Sequence, residues 1–416
     1  MKAFTFLGRG PLYESIYSYQ EQCCKTRFFA EALVSFFNPD TLVVLATGKA
    51  SQEPVSAEDK TDRLTAVQNL LDGKTEVISI TIPEGESENQ LWEIFNAVVS
   101  EIQDGDHVLF DITHGFRSLP FLTFLALAYV RNVRRDVEIE RVVYGAYEAV
   151  ERDNPYKPVF DLTPFIGLLD WIGAVSVFQQ TGNAQPIANL VADAQNLPYK
   201  LGLSGNLPTH LKNMANRLSD LSDALLTNRI LAAQAAAAEL IAQLDEAKQA
   251  VANWAQPFDV LLDQMRGTYQ PLALQNPETP ESRWESLIGQ YQQIRWYIQN
   301  QQYLQAITLA REWLISWGCY QLNKDWISEG ERYEVEKMMG EWQLAKREKR
   351  DLPNLPISNV KHGAKSIELF NDLHDLRNDL AHCGMRPDPR RANRAIAQVE
   401  KIVERLDGFI RDIQLS

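Results

Sequence analysis

The sequence predicts an N-terminal α/β domain with a Rossmann-like parallel sheet, followed by an all-α region that ends in a helical bundle. In the first 165 residues, short β-rich runs alternate with helical patterns. Central runs such as LVVLA and VLFDI are apolar without alternation, which is typical of strands that helices cover on both faces. Beyond about Thr163 the strand patterns stop, and amphipathic helical segments continue to the C-terminus. This order favours a doubly wound α/β domain joined to helices.

The elements of the first half follow from these runs. Residues 119–130 are the longest apolar stretch, but a membrane span needs ~20 apolar residues, so we expect a buried helix there. The predicted strands are residues 3–7, 41–46, 76–82, 107–112 and 139–146, and the predicted helices lie near residues 22–37, 57–71, 87–103 and 119–133.

In the second half, the alanine-rich residues 231–244 have very high helix propensity. Clusters of glycine and proline predict connections between helices at residues 202–208, 271–280 and 351–356. We therefore expect three parts: an α/β domain at residues 1–165, a helical linker region at 166–280 and a helical domain at 281–416.

Composition narrows the class of protein. The chain has 416 residues, with 41 Lys+Arg against 55 Asp+Glu, and its formal net charge is −14. Such a chain binds nucleic acid only through a local basic patch. The four cysteines contain no CxxC pair, so we expect reduced thiols and no zinc site. The first apolar run is too short for a signal peptide, and we expect a cytoplasmic protein without a membrane segment. Candidate basic groups are residues 346–350 and Arg386, Arg390, Arg391 and Arg394.

A first candidate site lies in two loops that follow predicted strands, where ligands of open α/β sheets bind. Glycines in the segment FLGRGPLY let a ligand approach the backbone closely. In DITHGFRSLP, the backbone N–H groups at the start of a helix and the guanidinium of Arg117 would favour an anion, so we expect a phosphate-rich ligand. The alternatives are a simple tight turn and a capped turn braced by Asp111. No GxxxxGK[ST] motif is present, so ATP hydrolysis is not indicated. The candidate ligand-binding residues are Gly8, Arg9, Gly10, Thr113, His114, Gly115 and Arg117.

A second candidate site lies on a predicted helix near the C-terminus, whose leucines at i, i+3 and i+7 form a buried stripe. Asn378 and His382 share one face, and His374 extends it by a turn. Arg377 lies about 140° from His382 on an ideal helix. Histidine can act as acid or base near neutral pH, and arginine can stabilise charge on a phosphoryl group. Arg377, Asn378 and His382 are therefore the candidate catalytic residues.

Two other interpretations of this helix stay open. One is a polar helix face whose final histidine complements the helix dipole. The other is a nucleophilic thiol at Cys383, beside His382.

Together these motifs resemble the CRISPR-associated CARF–HEPN ribonucleases that accompany type III interference complexes. The likeness lies in FLGRG, DITHGFR, the later VVYGAYEA strand and RNDLAH, residues 377–382, which fits the HEPN Arg-x4-His motif. It implies a CARF domain that binds cyclic oligoadenylate across a homodimer interface, and a HEPN domain that cuts single-stranded RNA. It also implies no metal, and no cofactor apart from the allosteric activator. Such proteins often carry a small hydroxyl residue where this chain has Arg9, which leaves ring size and binding orientation open.

Two rival functions belong to other classes. In a binding-only protein, the α/β half would sense a nucleotide and the helical half would control a partner or transcription. A metal-dependent DNA nuclease would need a carboxylate–lysine motif after a strand, and the sequence offers no convincing one.

Overall fold

The computed structural model describes residues 1–114, 118–150, 154–200, 202–385 and 390–414. The chain divides into two compact units, Met1–Leu169 and Asp170–Ser416.

The first unit is an α/β domain built on a mixed sheet. In its described part the strands lie in the order β3-β2-β8-β7-β6-β1-β4-β5. The strands are β1 (Lys2–Phe6), β2 (Ser15–Tyr19), β3 (Gln22–Thr26), β4 (Thr41–Thr47), β5 (Glu76–Ile82), β6 (His107–Asp111), β7 (Glu138–Gly145) and β8 (Tyr156–Asp161). The helices are α1 (Phe29–Phe37), α2 (Gly48–Gln52), α3 (Arg63–Leu71), α4 (Glu88–Ser100), α5 (Ser118–Val133) and α6 (Thr163–Ile166), with a 3-10 turn at Tyr147–Ala149.

Five neighbouring strands, β5, β4, β1, β6 and β7, are parallel, and these are the strands predicted from the sequence. The helix predicted at residues 22–37 was wrong in its first part, where β3 pairs antiparallel with β2. The two strands meet in a tight turn at Gln20, whose φ is 52°. A hairpin is usually predicted from a glycine or asparagine in its turn and from apolar residues that alternate along its strands. This turn contains neither glycine nor asparagine, and β3 is mostly exposed, so the sequence did not indicate the hairpin.

Helices cover both faces of the sheet, which confirms the predicted fold class. Alternate residues of each central strand face opposite sides. Ala3 and Leu42 belong to a core cluster that includes α1 and α3. Phe4 and Val43 belong to a second cluster, formed with α4 and α5.

Helix α5 is buried on one face only, so the expectation of a buried helix was wrong for its other face. Leu127 and Val130 pack under the sheet, whereas Phe121 is 63% and Tyr129 50% exposed. A helix presents only a stripe to a sheet, and an uninterrupted apolar run does not reveal which stripe. None of the described helices has both the length and the apolar character needed to cross a membrane.

The regular elements in the described part of the second unit are all helices, as predicted. Helix α10 contains the alanine-rich segment. One cluster of buried residues extends from Ala174 to Ile410, so the helices expected to form a linker share a core with the C-terminal helices. The helices are α7 (Leu168–Thr181), α8 (Gln185–Lys200), α9 (Leu211–Leu226), α10 (Ile230–Trp254), α11 (Gln256–Tyr269), α12 (Arg283–Gln299), α13 (Tyr303–Gln321), α14 (Glu329–Arg347), α15 (Pro356–Asn359), α16 (Gly363–Ala381) and α17 (Ala392–Gln414).

Candidate functional site

The α/β unit has a cavity of about 230 Å³ at the carboxyl edge of its parallel strands. Strand β1 lies between β4 and β6, where the strand order reverses, and this is the usual ligand site of an open α/β sheet. Gly8, Arg9, Thr113 and His114 line the cavity, so the structure brings the two predicted loops together. Gly115 and Arg117 of the predicted site lie outside the described residues.

The glycine turn after β1 is held by an arginine that sequence reasoning missed. The buried Arg63 donates hydrogen bonds to the carbonyl oxygens of Gly8, at 2.8 Å, and Gly10. Gly10 has a φ of +95°, a conformation that favours glycine. No sequence signal points to Arg63, which is 55 residues from Gly8 and begins α3 after its capping residue Asp62.

Arg9 lies between two carboxylates at the cavity. Its guanidinium is 4.0 Å from a carboxylate oxygen of Glu53 and 3.8 Å from one of Glu84. Arg63 also lies 3.4 Å from Glu53. An anionic ligand would be repelled by these two glutamates, and Arg9 offsets their charge.

Asp111 braces the loop after β6, as one interpretation of the sequence had it. Its buried carboxylate accepts hydrogen bonds from the Thr5 hydroxyl at 2.6 Å and the Thr113 backbone N–H at 2.7 Å. The Thr113 hydroxyl oxygen accepts in turn from the Gly145 N–H at 2.7 Å, which ties the loop to β7. Burial raises the pKa of Asp111 to about 6, although its hydrogen bonds with Thr113 and Thr5 act in the opposite direction.

His114 is placed against the glycine turn. A Cβ added to Gly8 would lie 3.0 Å from His114 Cβ and 3.2 Å from its Nδ1. Burial, together with the charge of Arg63, lowers the pKa of His114 to about 4. At neutral pH the imidazole is therefore uncharged and can serve a ligand as a hydrogen-bonding group but not as a cation.

In the helical unit, α16 brings together three polar side chains of the second predicted site. Arg377 Nη1 donates to Asn378 Oδ1 at 3.0 Å. Asn378 Nδ2 lies 2.9 Å from His374 Nε2. The other face of the helix is anchored by the buried Leu373 and Leu376.

His382 is not part of that hydrogen-bonded group, because it is the C-cap of α16. Its backbone N–H bonds to the Asn378 carbonyl, while Cys383 and Gly384 complete a Schellman ending with φ of 55° and 66°. Its side chain is exposed at the end of the helix. The angle of about 140° to Arg377 assumed a continuous ideal helix, and α16 ends one residue before His382.

The predicted basic groups are partly offset by neighbouring carboxylates. Lys346 lies 2.7 Å from Glu368, and Arg390 lies 3.3 Å from the buried Asp379. Arg386 is outside the described residues. Fewer free cations are therefore available to a nucleic acid than the sequence indicated.

One cluster of metal-ligand side chains is found within the described residues, at the other end of the sheet. His107 Nδ1 is 2.7 Å from Glu140 and 3.3 Å from Glu138, and all three residues are exposed. They line neither candidate site. The four cysteines, all within the described ranges, form no disulfide.

Comparison with known proteins bears on both units. Residues 3–149 match the family model for the CARF domain of the CRISPR system endoribonuclease Csx1. Residues 167–271 match the model for the second domain of the CRISPR-associated protein MJ1674. The second match covers most of the segment that the sequence suggested was a linker.

Two individual proteins are also similar. CRISPR-associated protein MJ1674 from Methanocaldococcus jannaschii is 31% identical over 113 residues, which are 26% of this chain and 18% of that protein. The chain thus spans less than a fifth of that relative's length. A solved structure of Enterococcus italicus Csm6 bound to cyclic hexa-2'-fluoro-hexa-dAMP superposes with a TM-score of 0.43 and 12% identity, over 97% of this chain and 92% of that one.

The α/β unit, which has its cavity at the carboxyl edge, is thus similar to CARF domains over residues 3–149. With the MJ1674 matches, both units are similar to parts of CRISPR-associated proteins.

Proposed function

We propose that this protein is a single-stranded RNA endoribonuclease of type III CRISPR antiviral defence, activated by cyclic oligoadenylate and independent of metal ions. The observation that carries the proposal is the arrangement at the end of α16. There Arg377, Asn378 and His374 are joined by hydrogen bonds, and His382 caps the same helix. The family that matches the CARF domain is named for an endoribonuclease, which supports the same reaction class.

The chemistry follows from the residue types. The ribose 2′-OH attacks the adjacent phosphate and leaves a 2′,3′-cyclic phosphate and a 5′-hydroxyl. His382 is exposed at the helix end, where it can transfer protons to and from the substrate. Arg377 stabilises the charge that builds up on the phosphorane-like transition state. Asn378 positions Arg377 through their hydrogen bond.

The activator site of this proposal is the cavity of the CARF domain. The glycine turn at residues 8–10 offers backbone groups to a ring, and Thr113 and His114 offer neutral hydrogen-bonding groups. Arg9 supplies a cation, and we assign a second one to Arg117. We further propose a homodimer in the cytoplasm, in which the ring binds the active arrangement more tightly than the inactive one.

An RNA-cleavage assay in EDTA, with a panel of cyclic oligoadenylates, tests the function. We expect cleavage with at least one ring, and a loss of at least about 10²-fold in Arg377→Ala. Arg266→Ala is the matched control, since Arg266 is a surface arginine of α11 paired with Asp245. A 2′-O-methyl RNA lacks the nucleophile and should stay intact. Cleavage of that strand at the normal rate contradicts the mechanism, and no cleavage with any ring favours the nucleotide-sensing regulator.

A further inference from the structure

The hydrogen-bond donors and acceptors among Arg377, Asn378 and His374 of α16 follow from the chemistry of these side chains. A guanidinium has only donors, so the Asn378 atom that faces Arg377, at 3.0 Å, must be the amide oxygen. The amide nitrogen therefore faces His374 and donates to its Nε2 at 2.9 Å. An accepting Nε2 carries no proton, so the ring is neutral and has its proton on Nδ1.

The ring of His374 is itself held by packing. Its centroid lies 6.2 Å from that of Phe370, one turn earlier on α16. The guanidinium of Arg311, from α13, lies 5.2 Å from the Phe370 centroid on the ring face. Nδ1 of His374 is buried and has no hydrogen-bond partner within the described residues. The imidazole is thus constrained before any RNA is bound.

We infer that His374 is a positioning residue of the proposed nuclease, acting on Arg377 through Asn378. A primary amide has two orientations that differ by exchange of its oxygen and nitrogen. In the exchanged orientation, the amide would point N–H groups at Arg377 and lose that hydrogen bond. With its proton on Nδ1, His374 offers Nε2 only as an acceptor, which pairs with this orientation of the amide and not with the exchanged one. This inference rests on the proposed function and adds a residue to it.

Two isosteres separate this role from simple space filling. The Gln side chain can place its oxygen near the position of Nε2, whereas the shorter Asn side chain places it near Nδ1. His374→Gln should keep kcat within about threefold of the wild type. His374→Asn and His374→Ala should lower kcat by about tenfold or more at unchanged KM, because the arginine is misplaced but the RNA still binds. Equal activity of the Gln and Asn variants would overturn the inference.

A double-mutant cycle tests whether His374 acts through Asn378. If it does, His374→Ala combined with Asn378→Ala should be no slower than Asn378→Ala alone. If the rate losses of the two single variants multiply in the double variant, His374 contributes independently of Asn378, which would refute the positioning role.

A readout without activity keeps this inference separate from the proposed function. Long-range ¹H–¹⁵N correlation spectra of histidine-labelled protein should show the His374 proton on Nδ1, with the signals assigned by their loss in His374→Gln. A wild-type protein that cleaves no RNA contradicts the proposed function alone. A proton on Nε2 contradicts the role of His374 whether or not RNA is cut.

Discussion

His114 packs on the backbone of Gly8 so closely that a Cβ at residue 8 would lie 3.0 Å from His114 Cβ and 3.1 Å from its Cγ. This contact joins the loop after β1 to the loop after β6. The two loops are over 100 residues apart in sequence, and together they line one cavity. A side chain at residue 8 would therefore act on the site through His114.

Gly8→Ala should weaken binding of the activator by about tenfold, because the imidazole must shift out of the cavity wall. Gly48→Ala is the control: it lies beside the cavity residues Thr47 and Ala50, and its added Cβ meets no atom within 4 Å. Calorimetric titration with cyclic tetra- and hexaadenylate provides the measurement. Wild-type affinity in Gly8→Ala would show that the ring does not depend on this contact.

Asp111 and His114 should give the α/β unit opposite dependences of stability on pH. The pKa of Asp111 is about 6 in the folded protein and 3.8 in a free carboxyl. Between these two pH values only the folded state binds the proton. The free energy of unfolding therefore falls as pH rises from about 4 to 6. The pKa of His114 is about 4 in the folded protein and 6.5 in a free imidazole. Between these two pH values only the unfolded state binds the proton. The free energy of unfolding therefore falls as pH falls from about 6.5 to 4. Each difference corresponds to about 3 kcal/mol.

Relative to the wild type, Asp111→Asn should thus become less stable as pH falls from about 6 to 4. His114→Gln should become more stable, relative to the wild type, as pH falls from about 6.5 to 4. Hydrogen–deuterium exchange of β1 and β6, corrected for the intrinsic rate at each pH, reports the opening free energy. Parallel slopes for the two variants would contradict the assignment of these pKa values.

Arg9→Gln should reduce affinity for an anionic ring by about tenfold, since Glu53 and Glu84 would then lose the cation between them. Adding Glu84→Gln should restore part of the loss, because one repulsive charge disappears. Lys49→Gln removes an exposed cation of α2 that pairs with Glu86, and serves as the control. If the double variant binds no better than Arg9→Gln, the arginine contacts the ring directly and does not act by offsetting the glutamates.

The sequence allowed the central sheet to be predicted because buried parallel strands require apolar residues on both faces, as in β4 and β6. The same reasoning failed for β2, β3 and β8, whose short runs include polar residues and, in β3 and β8, exposed positions. The loops of the first site could be predicted because they follow the ends of predicted strands, where ligands of open α/β sheets bind. The role of Arg63 could not be predicted, because a buried arginine that binds two glycine carbonyls has no local pattern and depends on the fold.

At the second site, helical spacing was enough to place His374 and Asn378 on one face, because i and i+4 neighbours are close on any α-helix. Spacing could not predict where α16 ends. In the Schellman ending, Cys383 has the left-handed conformation that is usually found at a glycine. A glycine that indicates the end of the helix occurs only one residue later, at Gly384. That ending places His382 outside the regular helix.

We expect the working enzyme to be a homodimer whose nuclease site contains the Arg377 and His382 of both subunits. Within the described residues no hydrogen bond joins the two side chains, and His382 is exposed at the end of its helix. One such pair is sparse for holding an RNA phosphate and transferring two protons. A two-fold axis would bring two pairs to one cleft, and would also give a cyclic activator a symmetric site between CARF domains.

Subunit mixing tests this arrangement. Wild type is dissociated together with excess His382→Ala, then reassembled, and its ring-activated RNA cleavage is measured. If both histidines are required, activity should fall as the square of the wild-type fraction, because only wild-type pairs retain a complete site. Mixing with Cys383→Ser, which changes the neighbouring residue, should leave activity unchanged. A linear fall with His382→Ala, at verified subunit exchange, would mean that each subunit cuts RNA with its own Arg377 and His382.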